Sequence, residues 1–461
     1  MRFLYKAVFL AFLLHACLAL TQTAILAPDL RAKIDDIARQ TLAATGTPSA
    51  SIAVVRDGQI AYLQAYGDAQ LEPRIAARTE MRYSIGSISK QFTAAALLLL
   101  AEQGKLSLDD PVSRFVPNLT RANEVTIRQV LSHTAGYQDY WPQDYVPPFM
   151  LQPVTAEKIL DRWARKPLDY EPGTEYQYSN TGFVIAGEIV EKASGMALIK
   201  FLYRHIFSPL AMHAVIDVDD AHADPIGYQR FGLGPLRPAP KEGAGWLFAA
   251  GELAMPAEDL AKWDLSLINQ SLLKPASYQE METTRVLKNG LATDYGLGVG
   301  VSKQLGHRAI SHGGEVSGFT AQNKVFPDDG VAIVVLTNQD AVGTPGDIAR
   351  KIAPLLFTQE NAAAEEGKAR KIFDGLQRSE IDRSLFTENA NSYFTQQALH
   401  DLAGGLAPLG APLGFSQTAR SERGGMTFRS FTVTFRNQTL EVTQRTMPDG
   451  KIEQYQVSIK E

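Results

Sequence analysis

The hydrophobic pattern divides the chain into blocks. Phe92 to Ala101 is apolar on nearly every side, which predicts a buried helix. Asp29 to Ala44 has helical apolar spacing and leads to Gly46. Ala50–Arg56 and Gln59–Gln64 flank Asp57-Gly58, a strong hairpin signal. Val316–Phe326 and Val331–Thr337 flank Pro327-Asp328-Asp329-Gly330 and predict a second hairpin. An antiparallel sheet built from both ends of this region is the natural assembly. Between the hairpins lie helical patterns broken by Pro/Gly loops, clearest over Gly182–Ala193 and Pro256–Asn269. Pro256 suits a first helical position, and Glu258 and Asp259 fall where the helix dipole favours acids. A helix from Gly346 to about Ala353 closes the region.

Residues 358–368 are polar and rich in small residues and read as a linker. The pattern then changes. A helix is expected over about Asn391–Ala403, followed by alternating strands. Phe431, Val433 and Phe435 face one way, with Thr432 and Thr434 opposite. Leu440 and Val442 continue the alternation, then Tyr455, Val457 and Ile459 after the turn Pro448-Asp449-Gly450. Residues 369–461 therefore read as a small α+β accessory domain. At the other end, a basic Met1–Lys6 precedes apolar Ala7–Leu20, so residues 1–23 read as an export signal, too short to span a bilayer comfortably. This predicts a periplasmic or secreted protein. Leu14-His15-Ala16-Cys17 faintly resembles a bacterial lipoprotein box, but His15 and the apolar Leu18-Ala19-Leu20 argue against lipidation. A membrane partner is expected only through such an anchor. Residues 24–357 are left as the main domain.

Composition narrows the function. The chain has 461 residues, is 45% hydrophobic and 21% charged, and carries a net charge of −5. That suits two or more globular domains and argues against a nucleic-acid partner. The single cysteine lies in the leader, so a processed chain has no disulfide, thiolate metal site or cysteine nucleophile. No His/carboxylate cluster suggests a metal, and no cofactor is called for. Oligomeric state is not legible.

Ser87-Ile88-Ser89-Lys90 sits at the start of the buried helix. Ser87 falls near the first turn, where N–H groups are unpaired and the dipole is positive. Lys90 lies one turn on, along the same face. Together they have the parts of an activated nucleophile. The alternative is an ordinary N-cap serine and a solvated lysine, and Ser271-Leu272-Leu273-Lys274 fits the same spacing in a loop-like stretch. Two further motifs shift the balance: Tyr178-Ser179-Asn180, the one Tyr-x-Asn in the chain, and His312-Gly313-Gly314, the one His-x-Gly.

In this order, with Leu131-Ser132-His133-Thr134-Ala135-Gly136 between them, these motifs resemble the serine β-lactamase and penicillin-binding-protein superfamily. The Tyr-x-Asn form points to its class C β-lactamase, D-alanyl-D-alanine carboxypeptidase and esterase branch. The resemblance covers about residues 28 to 357. It implies a β-lactamase-like α/β (α+β) fold, with an antiparallel sheet flanked by helices and a mostly helical subdomain beside it. It also implies a serine hydrolase. Ser87 would be the acyl-accepting nucleophile and Lys90 the base, since burial lowers a lysine pKa. Tyr178 would shuttle the proton, with Lys90 nearby to bring its phenol into a useful range. Asn180 would orient Lys90 and the substrate amide. The backbone N–H groups of Ser87 and Glu315 would form the oxyanion hole. Gly313 and Gly314 would let the substrate approach the strand closely; a turn or bulge is their bland reading.

Many relatives carry Lys-Thr-Gly where this chain has His312-Gly313-Gly314. A histidine is only partly charged near neutral pH, and the middle hydroxyl is lost. The expectation is a small-molecule or peptide substrate, an ester, amide or D-amino-acid peptide less dependent on a carboxylate anchor. The alternatives are a true β-lactamase or carboxypeptidase, and a catalytically silent penicillin-binding-like protein. His133 reads as mainly structural. The aromatic loop Tyr137–Tyr145, with Tyr137 and Trp141 as substrate contacts, lines the cleft or tucks onto the helical subdomain. Trp246, Ala249, Ala250 and Gly251 resemble a stretch that borders the site.

Overall fold

The computed structural model describes residues 26–358, 360–423 and 425–460. The expected leader, with Cys17, lies outside the described residues. The chain divides into two compact units, one ending at Ala353 and the other beginning at Pro354.

In the first unit both hairpins form. Strands β1 (Ser49–Arg56) and β2 (Gln59–Gln70) turn at Asp57-Gly58, where φ is 53° and 76°, as a primed turn requires. A two-residue strand, β3 (Ile75–Ala76), extends this edge. On the far side run β4 (Gly300–Gln304), β5 (His307–Val316), β6 (Phe319–Phe326) and β7 (Val331–Thr337). The second hairpin's first strand begins at Phe319 rather than Val316. Gly318, at φ 80°, turns the chain, so Val316 ends the preceding strand. The seven strands are ordered β3-β2-β1-β7-β6-β5-β4. β1 and β7 close the sheet, with Ala50 opposite Thr337 and Val55 opposite Ala332. All of β7 is buried, because both faces are covered, and such strands read as unbroken apolar runs.

Helix α1 (Pro28–Thr45) ends at Gly46 in the left-handed conformation, as a C-terminal glycine should. The central helix, α2 (Ser89–Glu102), follows a 3₁₀ turn at Gly86–Ile88. Ser89 to Leu98 are all buried. α2 packs against α3 (Asn180–Ser194), and α4 (Ala257–Asn269) packs on β1 and β7. Pro256 is the residue before α4, not its first turn. Its φ of −67° suits either place, but its ψ of 156° is extended. Helix α5 (Thr344–Thr358) starts earlier than expected and continues through Pro354.

In the second unit the expected linker is corrected: 360–368 lies within helix α6 (Glu360–Leu376). Its alanines and glutamates are strong helix formers. The helix is also held by tertiary contacts, since Glu366 Oε2 accepts the Gln417 N–H at 2.9 Å. The expected helix over 391–403 is two helices, α7 (Glu388–Tyr393) and α8 (Gln396–Leu406). Thr395 breaks them by capping the second, its hydroxyl accepting the Ala398 N–H at 3.1 Å. Strands β8 (Gly414–Arg423), β9 (Met426–Thr434), β10 (Thr439–Thr446) and β11 (Ile452–Ile459) form an antiparallel sheet in sequence order. Phe431 and Val433 are fully buried and join Phe373, Phe386 and Val442 in this unit's own core.

Candidate active site

Local backbone geometry brings Ser87 to the sheet. Gly86 adopts φ 50°, and a Cβ there would lie 2.7 Å from the Glu315 nitrogen. A Cβ on Gly314 would lie 1.9 Å from the Ile85 carbonyl oxygen. Only glycine permits both approaches. The 3₁₀ turn carrying Ser87 therefore lies flat against β5 at Gly314–Glu315. Ser87 and Glu315 line one cleft of about 590 Å³.

Lys90 is fully buried. Its Nζ donates to Ser87 Oγ at 3.0 Å, Asn180 Oδ1 at 2.8 Å and the Ala250 carbonyl at 2.8 Å. None of these partners is a carboxylate. Burial pulls its pKa down to about 7, only partly opposed by the charge of Asp139. Near neutral pH the amine is therefore available as a proton acceptor.

Asn180 opens α3, and Asp139 sets its orientation. The Asp139 carboxylate accepts from the Asn180 N–H at 2.9 Å, the Thr181 N–H at 3.1 Å and the Asn180 side-chain amide at 3.0 Å. With Nδ2 held there, Oδ1 must face Lys90. Asp139 thus binds the helix N-terminus and aims the amide.

Tyr178 sits over Lys90, whose Nζ lies 4.9 Å from the ring centroid. Burial raises its phenol pKa well above the ordinary value. The Ser87 hydroxyl lies near enough to lower it somewhat, but outside hydrogen-bonding geometry, so the phenol oxygen makes no hydrogen bond among the described residues. The expected lowering by Lys90 is therefore corrected: the resting phenol is neutral, because an amine near its own midpoint and beside the ring face gives a buried phenolate too little compensation. The His133 ring stacks on Tyr178 at 4.2 Å. Its Nδ1 accepts the Ser179 N–H at 3.1 Å and its carbonyl accepts the Gln177 N–H at 3.0 Å. His133 clamps the segment carrying Tyr178 from both sides, which is a structural role.

His312 departs from expectation. It is buried, and its Nε2 meets the Tyr295 hydroxyl at 2.8 Å. Burial, then the charge of Lys90, pulls its pKa down to about 4. It is a neutral residue at physiological pH, not a partly charged one, and it does not line the cleft with Ser87. Gly313 is different again. A Cβ there would meet only the Ala321 carbonyl oxygen, at 3.9 Å, so this face of β5 is open.

The aromatic loop divides. Trp141 is 57% exposed and lines the cleft. Tyr137 does not line it; it is buried in the helical core, a correction to its expected substrate contact. Tyr140 and Tyr145 take its place at the wall. Asp139, Tyr295 and the Ala250 carbonyl escaped the sequence reading. Asp139 lies 41 residues before Asn180, too far for any local cap signal. Tyr295 and a backbone oxygen carry no local signal. Of the stretch expected to border the site, Ala250 and Gly251 line the cleft and Trp246 and Ala249 do not, while Leu247 lines it as well.

A serine on a helix start, a buried lysine beside it and an open antiparallel strand define a serine hydrolase of the acyl-transfer type. A family model described as Beta-lactamase matches residues 34–355, and the chain belongs to that family. The D-aminopeptidase of Brucella anthropi is 28% identical over 311 residues, covering 66% of this chain and 58% of that protein. The chain thus spans under three-fifths of the length of the curated relatives it matches. A D-stereospecific amidohydrolase from a Streptomyces species is 27% identical, with a TM-score of 0.62 over 72% of this chain and 99% of that one. An octameric penicillin-binding protein homologue from Pyrococcus abyssi matches 94% of this chain and 96% of its own, at 23% identity and TM-score 0.64. That likeness is one of fold.

Proposed function

We propose that this enzyme hydrolyses amides and short peptides of D-configured amino acids, with small esters as weaker substrates, through an acyl-enzyme on Ser87. The observation that carries the chemistry is the buried Lys90 Nζ, 3.0 Å from Ser87 Oγ and near its midpoint at neutral pH. Neutral Lys90 takes the Ser87 proton as Oγ attacks the carbonyl carbon. The N–H groups of Ser87 and Glu315 hold the oxyanion. Tyr178 passes a proton to the departing amine and then helps activate water for deacylation. Asn180 holds Lys90 and the substrate amide.

The substrate reading rests on charge as well as on the names of the relatives. Neutral His312 offers no cation at the position where many relatives carry a lysine, which weighs against penicillins. Glu315 and Asp340 line the cleft with Arg230, and two carboxylates to one guanidinium favour a substrate that carries an ammonium group. Export to the periplasm or beyond, by a leader at 1–23, is part of the proposal.

The test is a panel of D- and L-amino-acid amides, p-nitrophenyl esters and β-lactams, run beside labelling by a fluorescent phosphonate. Wild type should label, Ser87→Ala should not, and D-amides should be turned over fastest. Efficient cephalosporin hydrolysis with no D-amide turnover would overturn the substrate reading. Absence of labelling in folded wild type would overturn the acyl-enzyme and favour a silent binding protein.

A further inference from the structure

Two apolar segments frame the mouth of the Ser87 cleft. One is the loop 141–151, in which Trp141, Val146, Phe149 and Leu151 are 57%, 43%, 59% and 37% exposed. The other is a hairpin pairing Tyr228–Arg230 with Leu236–Pro238. Its tip carries Phe231 at 69% and Leu233 at 100% exposure. A Cβ on Gly232 would meet nothing within 4 Å, so the tip stands clear of the body.

Both segments contribute to one cleft, Trp141 and Met150 from the loop, Gln229 and Arg230 from the hairpin. The chain just after the hairpin is tied to the end of the loop by Gly243 N–H to the Met150 carbonyl at 2.8 Å, and beyond it by Val154 N–H to the Ala244 carbonyl at 2.9 Å. Exposed apolar side chains clustered at one rim mark an interaction surface.

Charge identifies the occupant. Arg230 and Arg237, both exposed, sit on either side of the apolar tip. The one acid in the loop, Asp144, is buried and taken up by Arg162 and Trp163. Within the cleft, the carboxylates of Glu315 and Asp340 share the lining with Arg230 of the hairpin. Apolar side chains at the tip with arginines behind them fit an interface of acyl chains and anionic headgroups.

We propose that this rim seats the enzyme on an anionic lipid surface, with the cleft mouth facing the bilayer. The seating is independent of which acyl group Ser87 accepts.

Tryptophan fluorescence of the full chain tests it. Of the four tryptophans, Trp163, Trp246 and Trp263 are buried, so Trp141 reports the rim, and the leader contains none. Vesicles of phosphatidylglycerol and phosphatidylcholine should shift the emission to the blue, and brominated acyl chains should quench it. Phe231→Ser/Leu233→Ser should lose the quenching while keeping the melting temperature and turnover of a soluble ester. Arg237→Gln should weaken partition about fivefold on anionic vesicles only. No quenching in wild type, equal quenching in the double variant, or equal response to purely zwitterionic vesicles would overturn the proposal. So would concentration-dependent self-association that the double variant abolishes without any vesicle response, since the rim would then seat a second copy.

Discussion

At the scale of the residue, Lys90 sets the behaviour of the site. Acylation needs its neutral amine, and below about 7 the group is an ammonium that cannot accept the Ser87 proton. The acylation rate should therefore rise with pH through a midpoint near 7, measured by phosphonate labelling under single-turnover conditions. Stability follows the same group. Its folded pKa lies below its ordinary value of 10.5, so between those limits the native state binds fewer protons and stability rises with pH. Lys90→Met removes that slope. The variant's gain in stability over wild type should grow from about pH 10 towards about pH 7, by up to about 1.4 kcal/mol per pH unit, read by denaturant unfolding. Asp139 pulls the other way. Its charge holds the Lys90 pKa up, so Asp139→Asn should move the acylation midpoint to lower pH while lowering the limiting rate, because Asn180 loses its anchor. An unmoved midpoint would show that Asp139 is merely a helix cap.

At the scale of the element, two adjacent glycines separate fold from substrate. Gly314→Ala puts a methyl 1.9 Å from the Ile85 carbonyl and must push the Ser87 turn off β5. It should cost about 1–3 kcal/mol of stability and about 10²-fold in turnover, by melting and steady-state kinetics. Gly313→Ala meets nothing closer than 3.9 Å. It should change stability by less than about 0.5 kcal/mol, so any rise in KM would come from the substrate's path.

The same contrast shows what was legible in the sequence. Asp57-Gly58 and the Val331–Thr337 run announced their strands because turn chemistry and apolar continuity are local signals. The ordered motifs announced Ser87, Lys90, Tyr178 and Asn180, and the fold gathers these four. His312 was misjudged because its charge depends on burial and on Lys90, neither of which its neighbours in sequence encode. Tyr137 was misplaced because an aromatic loop contains both wall and core residues, and only the tertiary core that takes up Tyr137 decides which.

At the scale of the molecule, each compact unit has its own apolar core. Phe431→Ala, in the core of the second unit, should destabilise that unit by about 3–5 kcal/mol. Calorimetry should then resolve an early transition for it, leaving the first unit's melting in place. A single transition lowered as a whole would show that the two units unfold as one. The linker misreading belongs at this scale: an alanine- and glutamate-rich stretch is polar enough for a tether, and it becomes helix where Gln417 and the second sheet give it something to pack on.

The loop from Gly136 to Met150 joins two duties. Its first half is fixed: Asp139 aims Asn180, and the Tyr140 hydroxyl is tied to the Trp246 carbonyl at 2.7 Å. Its second half, from Trp141 on, forms cleft wall and rim and is tied down again at Met150. Between those anchors Asp144, bonded to Trp163, and Tyr145, bonded to Glu242, are also held, and the other positions can vary without touching the catalytic set. In evolutionary terms the segment is a cassette: exchanging residues 141–149 among relatives with Asp144 and Tyr145 kept should redirect which acyl groups enter, while the rate at which Ser87 is acylated by a small ester stays the same.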